Sequence, residues 1–101
     1  MGEGELRLIW SPDAEDDLLS IWRYGAEEWS HSAADDHERA IWGACQGLIN
    51  QPYFGKSRDE LFIGLRSTLI NPHVIFYKVS SNLIEIVRLV HQREDVESIF
   101  R

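Results

Sequence analysis

The sequence predicts an α+β fold, a helical hairpin packed on a mainly antiparallel β-sheet. Two apolar stripes at helical spacing occupy the first half: Ala14, Leu18, Ile21, Gly25 and Trp29, then Ile41, Ala44, Cys45, Leu48 and Ile49. Three strand-like runs fill the second half, separated only by Asn71-Pro72 and Ser80-Ser81-Asn82, connections short enough for antiparallel hairpins. With 101 residues and 44% hydrophobic content the chain can fill one core and not two, so residues 1–101 read as a single domain.

Taken in order, Leu6, Leu8 and Trp10 alternate with Arg7 and Ile9, which suits a short first strand. Ser11-Pro12 opens a helix, the serine as cap and the proline at a position whose fixed φ it already satisfies. Asp13, Glu15, Asp16 and Asp17 follow at the positive end of the helix dipole, which accounts for them without a catalytic role. This helix is expected to end near Ser30-His31, with Trp29 in its buried stripe and Trp22 at the margin. Ser32 and Asp35 resemble a capping box for a second helix, which Asn50-Gln51-Pro52 stops. A loop covers residues 52–59, and strands are expected over about 61–70, 73–79 and 83–90. In the last strand Leu83, Val87 and Leu89 fall on one face and Ile84, Ile86 and Val90 on the other. Both faces want cover, and a helical hairpin covers one, so the other is a candidate partner surface.

The net charge of -7 is unevenly distributed. Residues 1–50 carry eleven acids and three bases; residues 51–101 carry six acids and seven bases. Such an acidic balance disfavours direct binding to bare nucleic acid, while leaving room for a local basic site in the second half. The amino terminus, Met1-Gly2-Glu3-Gly4-Glu5, has no signal-peptide character and no apolar run is long enough to cross a bilayer, so the expected location is cytoplasmic. Cys45 is single and sits among apolar neighbours, which reads as a small buried hydrophobe. His31 and His37 stand near Asp35 and Asp36, but at a helix start where acids and caps are expected, so no metal site is read there, and nothing requires a cofactor.

The carboxy-terminal half carries an ordered set of short motifs: Arg58-Asp59-Glu60-Leu61, Gly64-Leu65-Arg66-Ser67, His73-Val74-Ile75-Phe76-Tyr77, then Arg88, His91, Arg93 and Asp95. In order and spacing this set resembles the ParE-like toxins of the RelE/ParE toxin-antitoxin superfamily. The resemblance runs from about Leu6 to Asp95 and extends to the order strand, helix, helix, three strands. It implies a toxin, the plasmid-stabilisation type included, that inhibits DNA gyrase by binding and carries no catalytic residues of its own. It also implies a ParD-like antitoxin whose tail becomes ordered on the toxin.

On that resemblance the target-binding candidates are Arg58, Arg66, His91 and Arg93, expected to cluster where strands end and loops emerge. The antitoxin-binding candidates are Trp22, Trp42, Arg66 and Arg88. Each has a structural alternative. Arg58-Asp59-Glu60 reads equally as a solvated turn, Arg66 and Arg88 as partners of Glu85 or Asp95, and the tryptophans as core. The RelE-like branch, which cleaves messenger RNA on the ribosome, is the alternative function, with Arg66, Arg88 and His91 as its parts. The chain departs from that pattern. Val74 follows His73 where such toxins often carry a base, and Gln92-Arg93 stands where they often end in a His/Tyr-type pair. A non-toxic interaction domain on the same fold is the third reading.

Overall fold

A computed structural model describes residues 6–100; the pentapeptide Met1-Gly2-Glu3-Gly4-Glu5, on which the expectation about a signal peptide rests, lies outside them. The elements are β1 (Arg7–Trp10), α1 (Pro12–Glu28), α2 (His31–Asn50), β2 (Lys56–Ser57), β3 (Leu65–Ile70), β4 (His73–Ser80), β5 (Leu83–His91) and α3 (Val96–Ile99). The strands form one sheet in the order β1-β5-β4-β3-β2. Its pairings are antiparallel except for β1 beside β5. This is the α+β hairpin-on-sheet architecture expected from the sequence. The two-residue β2 and the short α3 are additions, since neither carries enough periodic residues to be read from sequence.

Ser11 caps α1 as expected, its hydroxyl accepting from the Ala14 N–H at 3.0 Å and donating to the Val87 carbonyl at 2.8 Å. The same side chain therefore starts the helix and pins it to β5. The second cap differs from the sequence reading: Ser30, not Ser32, accepts from the Ala33 N–H at 3.0 Å. Trp29 and Ser30 both donate to the Gly25 carbonyl, and the second helix is capped two residues earlier than the Ser32–Asp35 pattern suggests. Past the last helical residue, Trp29 has φ -126 and ψ -79 and no longer follows the helical rotation. It projects outward, 71% exposed, and is not core. Across the hairpin, a Cβ on Gly25 would stand 3.4 Å from the Ala34 Cβ, the close approach that small residues permit.

The expected strand over 61–70 begins only at Leu65. Residues 58–64 form a tight loop in which the Arg58 carbonyl accepts from the Leu61 and Phe62 N–H groups. The Asp59 carboxylate accepts from the Gly64 N–H at 2.9 Å, with Gly64 at φ +89. Such a left-handed position suits a residue without Cβ.

β5 contains a bulge that revises its two faces. Tyr77 pairs with Ile86 and Phe76 with Arg88, which leaves Val87 as an extra residue. Beyond it the alternation inverts. Ile84, Ile86 and Leu89 face the helices with Ala14, Ile41, Cys45, Leu48, Ile75 and Tyr77. Val90, with Phe76 and Leu65, forms a second small core on the opposite face, where Val87 also packs. That face is roofed by Leu61 and by Val96, Ile99 and Phe100 of the carboxy-terminal segment. The chain thus supplies much of the cover that sequence reading assigned to a partner.

Two polar ties cross between layers. Asp17 of α1 accepts from Arg88 Nε at 2.8 Å and Nη2 at 3.0 Å, and from the Leu89 N–H at 2.9 Å. A two-pronged guanidinium–carboxylate pair is among the stronger hydrogen-bonded contacts, and Asp17 holds the Arg88 pKa above its ordinary value. The buried Tyr77 hydroxyl donates to the Pro52 carbonyl and accepts from the Gly55 N–H, both at 2.8 Å. A Cβ on Gly55 would lie 2.6 Å from the Ser67 carbonyl oxygen, so only glycine fits where this loop meets the sheet.

Candidate functional site

The target-binding candidates separate into two surfaces toward opposite ends of the sheet. Arg66 pairs with Tyr77 and His91 with His73, four residues apart along β4, or about 13 Å of strand. Arg58 and Arg66 therefore do not form one patch with His91 and Arg93.

At the β2–β3 end the cations are held by rings and carbonyls. Arg58 donates to Glu60 at 2.8 Å and to the Ser67 hydroxyl at 3.3 Å, with its guanidinium 5.4 Å from the Phe76 ring centre. Only 18% of its side chain is exposed, so a freely solvated turn does not describe it. The Arg58 hydrogen bond, foremost, holds the Glu60 carboxyl below its ordinary pKa. Arg66 pairs with neither Glu85 nor Asp95. It donates to the Gly55 and Tyr53 carbonyls at 3.0 and 3.2 Å and lies over the Tyr53 ring at 5.3 Å. Lys78 sits 4.9 Å from the Phe62 ring centre. Beside these cations Ile63, Tyr53 and Phe54 are exposed, Ile63 at 83%. An apolar surface rimmed by fixed positive charge is suited to protein contact. Lys78 and Ile63 escaped sequence reading because their neighbours come from a different strand and from a loop mistaken for strand.

At the other end a groove of about 450 Å³ opens between the α1–α2 turn and the ends of β4 and β5. Ile21, Tyr24, Trp29 and Ala34 line its helical side, and Pro72, His73 and His91 the sheet side. Three imidazoles meet there. His37 Nε2 and His73 Nδ1 are 2.9 Å apart, and the rings of His73 and His91 stand edge to face at 5.5 Å. His91 Nδ1 accepts from the Arg93 N–H at 3.1 Å, and the His91 N–H donates to the Glu94 carboxylate. Burial, helped by the neighbouring His37 and His91, lowers the His73 pKa to about 4, and burial lowers that of His37. Among the described residues no group of three or more His, Cys, Asp or Glu side chains is arranged to hold a metal ion.

The remaining designated residues lie elsewhere. Arg88 is committed to Asp17, which corrects the expected Glu85 or Asp95 pairing; Asp95 instead caps α3. Trp22 donates to Asp35 at 2.8 Å and packs on His31 at 5.3 Å. Trp42, 41% exposed, rests against Trp10 at 5.0 Å. Both tryptophans are marginal, as their angular positions on the helices indicate.

The fold and sequence have recognised relatives. A model of the family described as ParE toxin of type II toxin-antitoxin system, parDE, matches residues 8–96. Toxin ParE1 of Mycobacterium tuberculosis is 32% identical over 92 residues, covering 90% of this chain and 94% of that protein. Toxin ParE1 of Caulobacter vibrioides is 32% identical over 79 residues, covering 78% and 81%. Among solved structures, a chain of the chromosomal ParDE system from P. aeruginosa superposes with a TM-score of 0.76 at 22% identity, covering 87% of this chain and 97% of that one. A chain of the E. coli DinJ-YafQ toxin-antitoxin complex gives 0.61 at 14%, covering 87% and 93%. The structural likenesses establish a shared fold; with the family match across nearly every element and the ParE1 relatives, they establish that this chain belongs to the ParE toxin family of type II toxin-antitoxin systems.

Proposed function

We propose that this toxin acts by binding rather than catalysis, that DNA gyrase is its target, and that a ParD-like antitoxin neutralises it in the cytoplasm. The observation that carries the choice of binding is the commitment and dispersal of the three residues a nuclease would use. Arg66 is tied to two backbone carbonyls, Arg88 to Asp17, and His91 lies at the far end of the sheet from Arg66. Phosphoryl transfer needs its charge-stabilising and proton-moving groups within reach of one phosphate. The exposed apolar surfaces, by contrast, need only a complementary partner.

An antitoxin partner is supported by the solved relatives, which come from toxin-antitoxin systems. A tail ordered on binding suits a chain whose exposed apolar groups are spread over both ends of the sheet, because an extended segment reaches separated sites. Among the described residues no helix is long and apolar enough to cross a membrane.

Induction of the chain in a gyrase-dependent bacterial host, with DNA breakage and transcript integrity followed in parallel, tests the reading. DNA breaks with intact transcripts, together with loss of supercoiling by purified gyrase on adding the purified chain, are expected. Cleaved transcripts with intact DNA would overturn it in favour of the RelE-type nuclease. Neither effect would leave the non-toxic interaction domain.

A further inference from the structure

The groove-end histidines come from three separate elements: His37 from the first half of α2, His73 from the start of β4 and His91 from the end of β5. Two of them are fixed to each other through the sheet, since His73 and His91 are register partners and the Gln92 N–H donates to the Pro72 carbonyl at 2.9 Å. His37 reaches this pair from the helical layer, through one nitrogen-to-nitrogen contact. Such a contact requires one nitrogen to donate and the other to accept, so at least one of the two rings is neutral. A ring protonated on both nitrogens has no acceptor left. When His37 and His73 are both charged, the bond is replaced by two facing N–H groups and by charge repulsion at hydrogen-bond distance.

We propose that the His37–His73–His91 cluster is a proton-operated latch that holds the first half of α2 to the β4–β5 end and thereby sets the width of the adjoining apolar groove. The neighbouring groups are too few and too occupied to absorb the added charge. From α1 the groove presents Ser20, Ile21 and Tyr24; from α2, Ala33 and Ala34 beside His37; from the β3–β4 turn, Pro72. The acid acting on His73 is Glu94, whose carboxylate already accepts from the His91 N–H, while Arg93 meets His91 through its backbone N–H. Burial supports the neutral forms of His37 and His73 in the closed state. His91, accepting at Nδ1 from the Arg93 N–H, carries its proton on Nε2. The sheet-borne rings are fixed by their ladder, so the element released by protonation is α2, which forms a wall of the groove.

Histidine side-chain NMR on the whole chain, from about pH 7.5 to about pH 3.5, reads the latch directly. His73 is expected to titrate near 4, with the His37 resonances moving in the same steps. Binding of an apolar fluorescent dye should rise several-fold over this transition, before the peptide circular dichroism is lost. In parallel, the unfolding equilibrium constant of the wild-type chain should grow about tenfold more between pH 7 and pH 5 than that of His73→Phe, which keeps a ring without a proton site. If His73→Phe fails to fold, His37→Gln, which retains a neutral hydrogen-bonding group, should raise the pH at which His73 titrates and weaken the pH dependence of the profile, since burial of His73 remains. Titration of His73 at the ordinary histidine value with no coupling to His37, or dye binding that rises only with global unfolding, would overturn the proposal. Identical pH profiles in wild type and a folded variant would do the same.

Discussion

The two ends of the sheet hold their polar side chains by opposite means. At the β2–β3 end Arg58, Arg66 and Lys78 rest on aromatic rings, and the two arginines also donate to carbonyl, hydroxyl or carboxylate oxygens. The lowered Glu60 pKa preserves its contact with Arg58 into mild acid. At the β4–β5 end the cluster depends on imidazoles staying neutral in a half-buried niche. Similar ring and hydrogen-bond contacts thus give one surface that is indifferent to pH and one that is sensitive to it. The difference comes from the chemistry of the donor, since guanidinium is always charged and imidazole is not.

Between the ends lies the Asp17–Arg88 tie, and breaking it should have the largest effect. Asp17→Ala leaves a largely buried guanidinium and the Leu89 N–H without their acceptor, and is expected to lower stability by about 3 kcal/mol in urea unfolding. A loss below about 1 kcal/mol would show that the tie adds little to the apolar packing and the Ser11 contact that also hold the helical layer to β5. Next comes Tyr77→Phe, which orphans the Gly55 N–H and the Pro52 carbonyl and should cost about 2 kcal/mol. The loss should be the same at pH 7 and pH 5, because the two groups left unpaired are a backbone N–H and a backbone carbonyl.

The pH effect at the histidine end is smaller. His73 is neutral in the folded state with a pKa depressed from 6.5 to about 4, so its contribution is present above 6.5 and is lost as pH falls toward 4. The ring is only half buried, which reduces the expected loss to about 1–2 kcal/mol, measured as the difference between wild type and His73→Phe. Smallest in stability is Ile63→Ser, expected to change it by less than about 0.5 kcal/mol because the side chain is exposed. If the β2–β3 end meets the target, the same substitution relieves growth arrest on induction; undiminished arrest would move the target contact to the groove end.

How far the sequence determined this protein depends on the range of the interaction involved. Local signals succeeded: Ser11-Pro12 starts α1, Asn71-Pro72 and Ser80-Ser81-Asn82 turn the hairpins, and the buried stripe through Ile41, Cys45 and Leu48 faces the core. The ordered carboxy-terminal motifs pointed to the family that the match over residues 8–96 establishes. Trp29 was misread because helical projection stops applying one residue after the helix ends.

The tertiary structure decided what brings distant residues together. Ser80 pairs with Leu83, so an unbroken hairpin would set Val90 opposite His73; the one-residue bulge at Val87 puts His91 there instead. That shift also carries Leu89 into the helix-facing core and Val90 into the opposite one. No residue type announces such a bulge, because the alternation before and after it is equally apolar. Likewise Asp17 and Arg88 are 71 positions apart, and only the packing of α1 across β5 makes them partners. Periodicity and caps act within a few residues and are written along the chain, whereas strand register and layer packing depend on how the whole core fills.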